Sequence, residues 1–138
     1  MSVKYENILY VITPIAVVFL LYLPLGFLFQ IQVRYPWIDI PFHLAGGAGV
    51  VLSMWRLLMV SIKRKALIAI PRWSLVLLLI GTVALLAVCW EIFEYGMQLL
   101  FPPDDPMTLK DTIGDFIVGL LGGIVMIEMI VWYRGRLR

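Results

Sequence analysis

Charged residues are scarce in this sequence and make up only 14% of its 138 positions. Soluble domains carry about a quarter of such residues, so the composition excludes an ordinary soluble domain. The net charge of +2 is too small to indicate a nucleic-acid partner. A single cysteine, Cys89, excludes an internal disulfide. Because Cys89 lies in an apolar run, we predict that it is a small core residue.

Long hydrophobic runs take the place of the missing charge. Hydrophobic residues form 62% of the sequence, and the mean hydropathy is +0.98. The pattern predicts an all-α, polytopic membrane protein, a four-transmembrane-helix bundle in one domain over residues 1–138. The predicted helices cover about 8–30, 40–62, 74–100 and 109–133. The first run is too long for a signal-peptide core and lacks a small-x-small cleavage pattern, so we expect it to be retained.

Basic residues are distributed unequally between the two sides of the predicted bundle. The side with both termini and the loop between the second and third helices carries Lys4, Lys63, Arg64, Lys65, Arg72, Arg134, Arg136 and Arg138. The opposite side has Arg34 and Lys110 in or beside its loops. The positive-inside rule therefore predicts a multi-pass protein of the cell (inner) membrane with both termini in the cytoplasm.

Ionisable residues recur at the predicted outer ends of three helices. Because consecutive helices run in opposite directions, these ends meet at one depth in the membrane. Residues three or four apart share a helix face, so each helix directs its polar side chains to one side. The residues are Asp39 and His43 on the second helix, Glu91 and Glu94 on the third, and Asp111 and Asp115 on the fourth.

Such a gathering of acids requires neutralisation. An ionised acid deep in a membrane helix costs roughly 2.5–3.5 kcal/mol, and several acids also repel one another. Either some of the carboxyls stay protonated or a divalent cation binds them. Carboxylates with one imidazole suit a divalent metal ion such as Mg²⁺, Mn²⁺ or Zn²⁺. We predict that Asp39 or Asp111 acts as a catalytic base, and that the metal ligands are His43, Glu91, Glu94 and Asp115.

Some of these residues also have simpler explanations. Asp39 has a position suited to N-capping the second helix. Thr108 and Asp111 have the spacing of a capping box. His43 can be a satisfied packing residue. No such explanation covers the other acids of the cluster, which are Glu91, Glu94 and Asp115.

Several polar or helix-breaking residues lie away from this cluster. Pro14 and Pro24 predict bends in the first helix, which membranes tolerate when neighbouring groups satisfy the freed carbonyls. Tyr22, with Gly26 and Gln30, gives the far end of that helix a mildly polar face. Arg56 and Glu128 each follow the outer start of their helix by about 17 residues, or roughly 25 Å, so we interpret them as a structural ion pair or as snorkelling groups near the inner interface.

The order of the motifs resembles that of the VanZ-like and YjdF-like families of small bacterial and archaeal membrane proteins. The motifs are Asp39-x3-His43-x2-Gly46, Trp90-Glu91-x2-Glu94 and Asp111-Thr112-x2-Asp115 with Gly122 beyond. Members often carry Asn where this chain has Gly119. The resemblance implies a polytopic membrane protein in which the acids and the histidine matter, with a loose link to envelope and glycopeptide-antibiotic phenotypes.

Three functions compete on these observations. The first is a metal-dependent hydrolase or transferase that acts on a lipid-linked or envelope phosphate. The second is a cation or proton transporter or a channel subunit, and the third is a structural protein with a buried polar clamp. A di-iron oxidoreductase is more distant, because the sequence has no Glu-x-x-His motif. We expect membrane lipids as partners, and the oligomeric state is left open.

Overall fold

The computed structural model describes residues 5–29, 31–68, 70–102 and 108–136. Lys4 and Arg138 lie outside the described residues, as do the side chains of Arg134 and Arg136. Within the described ranges the chain is helical throughout its regular structure. Its elements are α1 (Tyr5–Leu23), a π-helical segment (Pro24–Leu28), α2 (Ile31–Arg34), a 3₁₀ turn (Pro36–Ile38), α3 (Asp39–Lys63), α4 (Arg72–Leu100) and α5 (Leu109–Arg136).

In the part of the chain that the structure describes, four helices are long and apolar enough to cross a membrane. The spans are Glu6–Gly26, Pro36–Lys63, Arg72–Leu100 and Leu109–Tyr133. This confirms the predicted all-α, four-helix membrane architecture. The start of α3, the end of α4 and the start of α5 lie at one end of the bundle, which we call the site end.

Glycines bring α3 and α5 into direct backbone contact. These two helices form the most extensive pair, α1 packs on α3, and α4 packs against both α3 and α5. A Cβ atom on Gly47 would lie 1.8 Å from the carbonyl oxygen of Gly119. A Cβ on Gly122 would lie 2.0 Å from the carbonyl oxygen of Leu44. Small residues allow this kind of approach between membrane helices, so α3 and α5 form a central pair with no room for side chains between them.

A proline in α1 explains how this helix is attached to α3. Pro14 has no N–H, so the carbonyl of Tyr10 cannot receive its usual helical hydrogen bond. Arg56 of α3 donates from Nη1 to that carbonyl at 2.9 Å, and its guanidinium carbon lies 4.5 Å from the centroid of the Tyr10 ring. A neighbouring helix therefore satisfies the freed carbonyl. Among the described residues Arg56 contacts Tyr10 and forms no ion pair with Glu128, so the first of the two interpretations offered for these residues is wrong. The second, snorkelling at the inner interface, stays a prediction.

The apolar core lies in the part of the bundle away from the site end. Its most completely buried side chains are Val51, Leu75 and Leu79, from α3 and α4. Ile127 and Ile130 of α5 complete the same cluster. The prediction that Cys89 belongs to a core is wrong, because this residue is exposed on α4. An apolar run on a membrane helix can face lipid as well as protein, and the hydrophobic character of the run does not distinguish the two.

Candidate metal centre

His43 lies between two carboxylates of different helices. Its Nε2 is 3.4 Å from Oδ2 of Asp39 and 3.7 Å from Oδ1 of Asp115. Asp39 reaches it from one turn earlier on α3. Asp115 reaches it from α5 because Gly47 and Gly119, each one turn further along its helix, hold the two backbones together. The glycine contact therefore fixes the distance between the histidine and the carboxylate of the second helix.

Helix α4 supplies two more carboxylates to the same imidazole. His43, Glu91 and Glu94 each offer one ligand atom, and these atoms lie within 4.8 Å of one another. The same holds for Asp39, His43 and Asp115. Both groups share His43, and we call the five residues together the His43 cluster. The structure thus brings together five of the six residues that the sequence placed at one depth.

Two atoms of the His43 cluster are buried without a hydrogen-bond partner among the described residues. They are Nε2 of His43 and Oε2 of Glu91. The side chain of His43 is 9% exposed, and Glu91 is 6% exposed. A buried polar group without a partner costs about 1–3 kcal/mol. Nε2 of His43 still lies within ion-pair distance of Asp39 and Asp115. The penalty therefore falls on Oε2 of Glu91, where a bound ligand could remove it.

The spacing and chemistry of these atoms suit a divalent ion. Ligand atoms at about 2.1 Å from a tetrahedral ion lie about 3.4 Å apart, and Nε2 of His43 lies 3.7 Å from Oδ1 of Asp115. Carboxylate oxygens and one imidazole nitrogen are ligands that Mg²⁺, Mn²⁺ and Zn²⁺ accept. The residues present therefore fit a divalent metal ion.

Tyr22 of α1 holds one of the carboxylates from outside the cluster. Its hydroxyl donates to Oε1 of Glu94, and the residue is only 6% exposed. Its ring packs edge-to-face on Phe42 and Trp90. Such outer contacts orient the groups that ligate a metal. Our sequence reasoning did not assign Tyr22 to the site, although the polar face at that end of the first helix was a signal.

Asp111 lies outside the His43 cluster. Its Oδ2 accepts hydrogen bonds from the backbone N–H of Thr108 at 3.0 Å and from the hydroxyl of Thr108 at 2.6 Å. The N–H of Asp111 donates back to Oγ1 of Thr108 at 3.3 Å. Asp111 is exposed and completes the capping box that the sequence left open as an alternative. Its predicted role as a base gains no support from this position.

Asp39 differs from Asp111, because its side chain points into the cluster. It is the first residue of α3, and the preceding Ile38 occupies the cap position without a side-chain hydrogen bond. The carboxylate of Asp39 instead lies beside His43 and is 27% exposed, against 13% for Asp115. The capping explanation therefore does not describe the start of this helix, and Asp39 is the more accessible of the two aspartates.

Comparison with known families identifies the family of this chain. The chain belongs to the family described as "Predicted membrane protein (DUF2238)", which matches residues 1–136. No curated protein and no solved structure matches the chain. The family agrees with a small membrane protein that contacts membrane lipids, and it does not by itself connect the chain with the VanZ-like or YjdF-like proteins.

Proposed function

We propose that this member of the DUF2238 family is a metal-dependent membrane hydrolase or transferase that acts on a lipid-linked or envelope phosphate. The observation that carries the proposal is the pair of buried atoms without hydrogen-bond partners, Nε2 of His43 and Oε2 of Glu91. They lie where three helices deliver carboxylates to one imidazole. A divalent ion at this place would polarise a phosphoryl oxygen and activate a bound water.

The residues of the His43 cluster divide into ligands and a base. We assign His43, Glu91, Glu94 and Asp115 as the ligands. His43, Glu91 and Asp115 are less exposed than Asp39, and Glu94 forms a group with His43 and Glu91. Asp39 is more exposed than Asp115, so it is the carboxylate best placed to take a proton from an entering water. Tyr22 keeps Glu94 in position through its hydroxyl. Asp111 has no part in this scheme.

The position of the site in the membrane determines which phosphates can reach it. The cluster lies at the site end, and the basic loop between α3 and α4 lies at the opposite end. By the positive-inside rule, the site end faces the extracytoplasmic side of the cell membrane. Lipid-linked envelope precursors carry phosphate groups on that side of the membrane, so we propose them as the substrates. The resemblance to VanZ-like and YjdF-like proteins, with their envelope phenotypes, is consistent with this assignment.

Two other functions compete with the proposal. Ion transport requires a polar path across the bundle, and below the cluster the α3 and α5 backbones touch at Gly47 and Gly119. This packing weighs against a path between these helices. A structural clamp would use His43 only to join Asp39 and Asp115. The clamp explains the two ion-pair distances but leaves the buried Oε2 of Glu91 without a purpose.

A measurement of bound metal tests the proposal most directly. The protein would be purified without chelating tags or buffers, and its metals measured by elemental mass spectrometry. We expect near-stoichiometric metal in the unsubstituted protein and at least a tenfold loss in His43→Ala and Glu91→Gln. Asp111→Asn is the matched control, because it removes a carboxylate charge outside the cluster. It should keep its metal.

The same preparations then distinguish the enzyme from the structural clamp. Metal-dependent release of phosphate from an isoprenyl pyrophosphate, lost in His43→Ala, would support the enzyme. Absence of metal in the unsubstituted protein, even after addition of Mg²⁺, Mn²⁺ or Zn²⁺, would overturn it. Unfolding of His43→Ala and Glu91→Gln in a protein that binds no metal would favour the structural clamp instead.

A further inference from the structure

An apolar cavity lies directly beside the His43 cluster and is lined by α1, α3 and α4 and by Gly119 of α5. Its volume is about 340 Å³, within the range of small-molecule sites. Hydrophobic and aromatic side chains such as Phe19, Val50 and Trp90 line most of it, and Gly46 leaves room on the α3 side. No Cβ contact within 4 Å would oppose a side chain at Gly46. The cavity therefore has the character of a site for a hydrocarbon group.

The cavity and the cluster are not separate, because they share side chains. His43 contributes to the wall of the cavity and supplies the buried Nε2 of the cluster. Tyr22 likewise lines the cavity with its ring while its hydroxyl bonds Glu94. A polar site that continues into an apolar cavity is complementary to an amphiphile, whose head and tail require different surroundings.

The wall between α1 and α4 is made of aromatic rings. Phe19 meets Trp90 edge-to-face at 5.0 Å between centroids, and Phe93 lies 5.3 Å from Trp90. Phe19 and Phe93 are 39% and 42% exposed, and Cys89 on the same wall is also exposed. Since α1 and α4 are membrane spans, surface exposed at this level faces lipid chains. A chain could enter the cavity sideways by displacing these rings.

We infer that the cavity binds the hydrocarbon chain of a lipid whose phosphate head lies at the His43 cluster. The assignment of the head group rests on the proposed function, whereas the cavity itself is an independent feature. The surrounding bilayer supplies chains at this depth, and the shared wall at His43 places the head of such a lipid next to the carboxylates. Chain and phosphate are common to phosphatidic acid and to isoprenyl phosphates, so both lipids qualify.

Photo-crosslinking with defined probes tests this inference. The protein in lipid nanodiscs would be labelled with phosphatidic acid or with an isoprenyl monophosphate, each carrying a diazirine and an alkyne on its chain. Labelled peptides would be identified by mass spectrometry. We expect labelling to concentrate on the parts of α1 and α4 that line the cavity. Preference for one probe would identify the source of the chain.

A pair of matched variants makes the test specific. Gly46→Leu fills the cavity, and Gly81→Leu makes the same change on an exposed part of α4, where a Cβ also meets nothing within 4 Å. We expect at least a tenfold loss of cavity labelling in Gly46→Leu and none in Gly81→Leu, with both proteins folded by thermal unfolding. Ala87→Leu fills the cavity from α4 and replaces Gly46→Leu if that variant does not fold.

The outcomes distinguish this inference from the proposed function. Labelling spread evenly over all lipid-facing surfaces and unchanged in Gly46→Leu and Ala87→Leu would overturn the cavity assignment, even if the protein binds metal. Cavity labelling that persists in metal-free His43→Ala would support the chain site independently of the metal. Cavity labelling in a protein that never binds metal would uphold the chain site while the proposed enzyme fails.

Discussion

The two helix contacts on either side of His43 are built in opposite ways. On one side, α3 and α5 touch through their backbones at Gly47 and Gly119. On the other side, α1 and α4 meet through bulky rings, those of Phe19 and Trp90, and a cavity of about 340 Å³ lies next to them. The α3–α5 contact leaves no space for a side chain at Gly47, whereas the cavity, which Gly47 and Gly119 also line, has enough space for a ligand beside α1 and α4.

The two contacts therefore differ in rigidity, and we expect them to serve different purposes in the site. A backbone contact cannot be adjusted by rotation of side chains, so the α3–α5 pair fixes Asp115 relative to His43. Aromatic side chains can rotate while their helices stay in place, so Phe19 can move without displacing the helices that carry the proposed ligands. A site that holds an ion and admits a lipid chain needs both properties. Substitutions that alter one contact at a time therefore test whether the α3–α5 contact is rigid and the α1–α4 contact adjustable.

The largest effect is expected when the glycine of α3 at the α3–α5 contact, Gly47, is replaced by a larger residue. Gly47→Ala would place a Cβ 1.8 Å from the carbonyl oxygen of Gly119, so the helices must separate. Overpacking typically costs about 1–3 kcal/mol, and a clash with backbone belongs at or above the upper end of that range. We expect the free energy of unfolding, measured by denaturant titration in detergent micelles, to fall by about 3 kcal/mol.

The neighbouring residue provides the control for that experiment. Gly46→Ala adds the same methyl group one position earlier, where a Cβ meets nothing within 4 Å. Alanine also favours helix by up to about 1 kcal/mol relative to glycine. The stability of Gly46→Ala should therefore be unchanged or slightly raised. Equal losses in the two variants would show that the glycine contact does not fix the central pair.

The sequence predicts much of the site, because helix direction is a strong constraint. Once the spans were located, alternation of direction placed the acids of α4 and α5 at the same end as His43. Periodicity could not distinguish Asp111 from Asp115, since both lie on one face and only the capping box with Thr108 separates them. Asp39 was likewise ambiguous until the start of α3 was known.

The features that escaped prediction depend on distances between helices. Tyr22 reaches Glu94 because α1 and α4 approach within reach of long side chains, and the sequence does not fix which spans approach one another. The cavity depends on how far these helices stand apart. Arg56 could not be paired from the sequence because its acceptor is a backbone carbonyl of Tyr10. Pro14 marks the carbonyl that is freed, but it does not indicate which neighbouring side chain donates to it.

A smaller loss is expected when α1 is released from α3. Arg56→Met keeps the length and apolar stem of the side chain but removes the hydrogen bond to the carbonyl of Tyr10. Hydrogen bonds to charged groups contribute about 1.5–3 kcal/mol, so we expect the free energy of unfolding to fall by that amount. Glu128→Gln is the control and should stay within about 0.5 kcal/mol. An equally large fall in the free energy of unfolding of Glu128→Gln would instead support an ion pair between Arg56 and Glu128.

The smallest change in stability is expected at the link between α1 and α4. Tyr22→Phe keeps the ring that packs on Phe42 and Trp90 but removes the hydroxyl that bonds Glu94. The free energy of unfolding should fall by only about 0.5–1.5 kcal/mol. If Glu94 is a ligand, loss of an outer contact should weaken metal binding about 10–100-fold, as measured by competition with a metal indicator. Tyr95→Phe, on an exposed part of α4, should change neither quantity. Lower stability with unchanged metal affinity would mean that Tyr22 only joins α1 to α4. The α1–α4 contact would then have no influence on the proposed metal ligands.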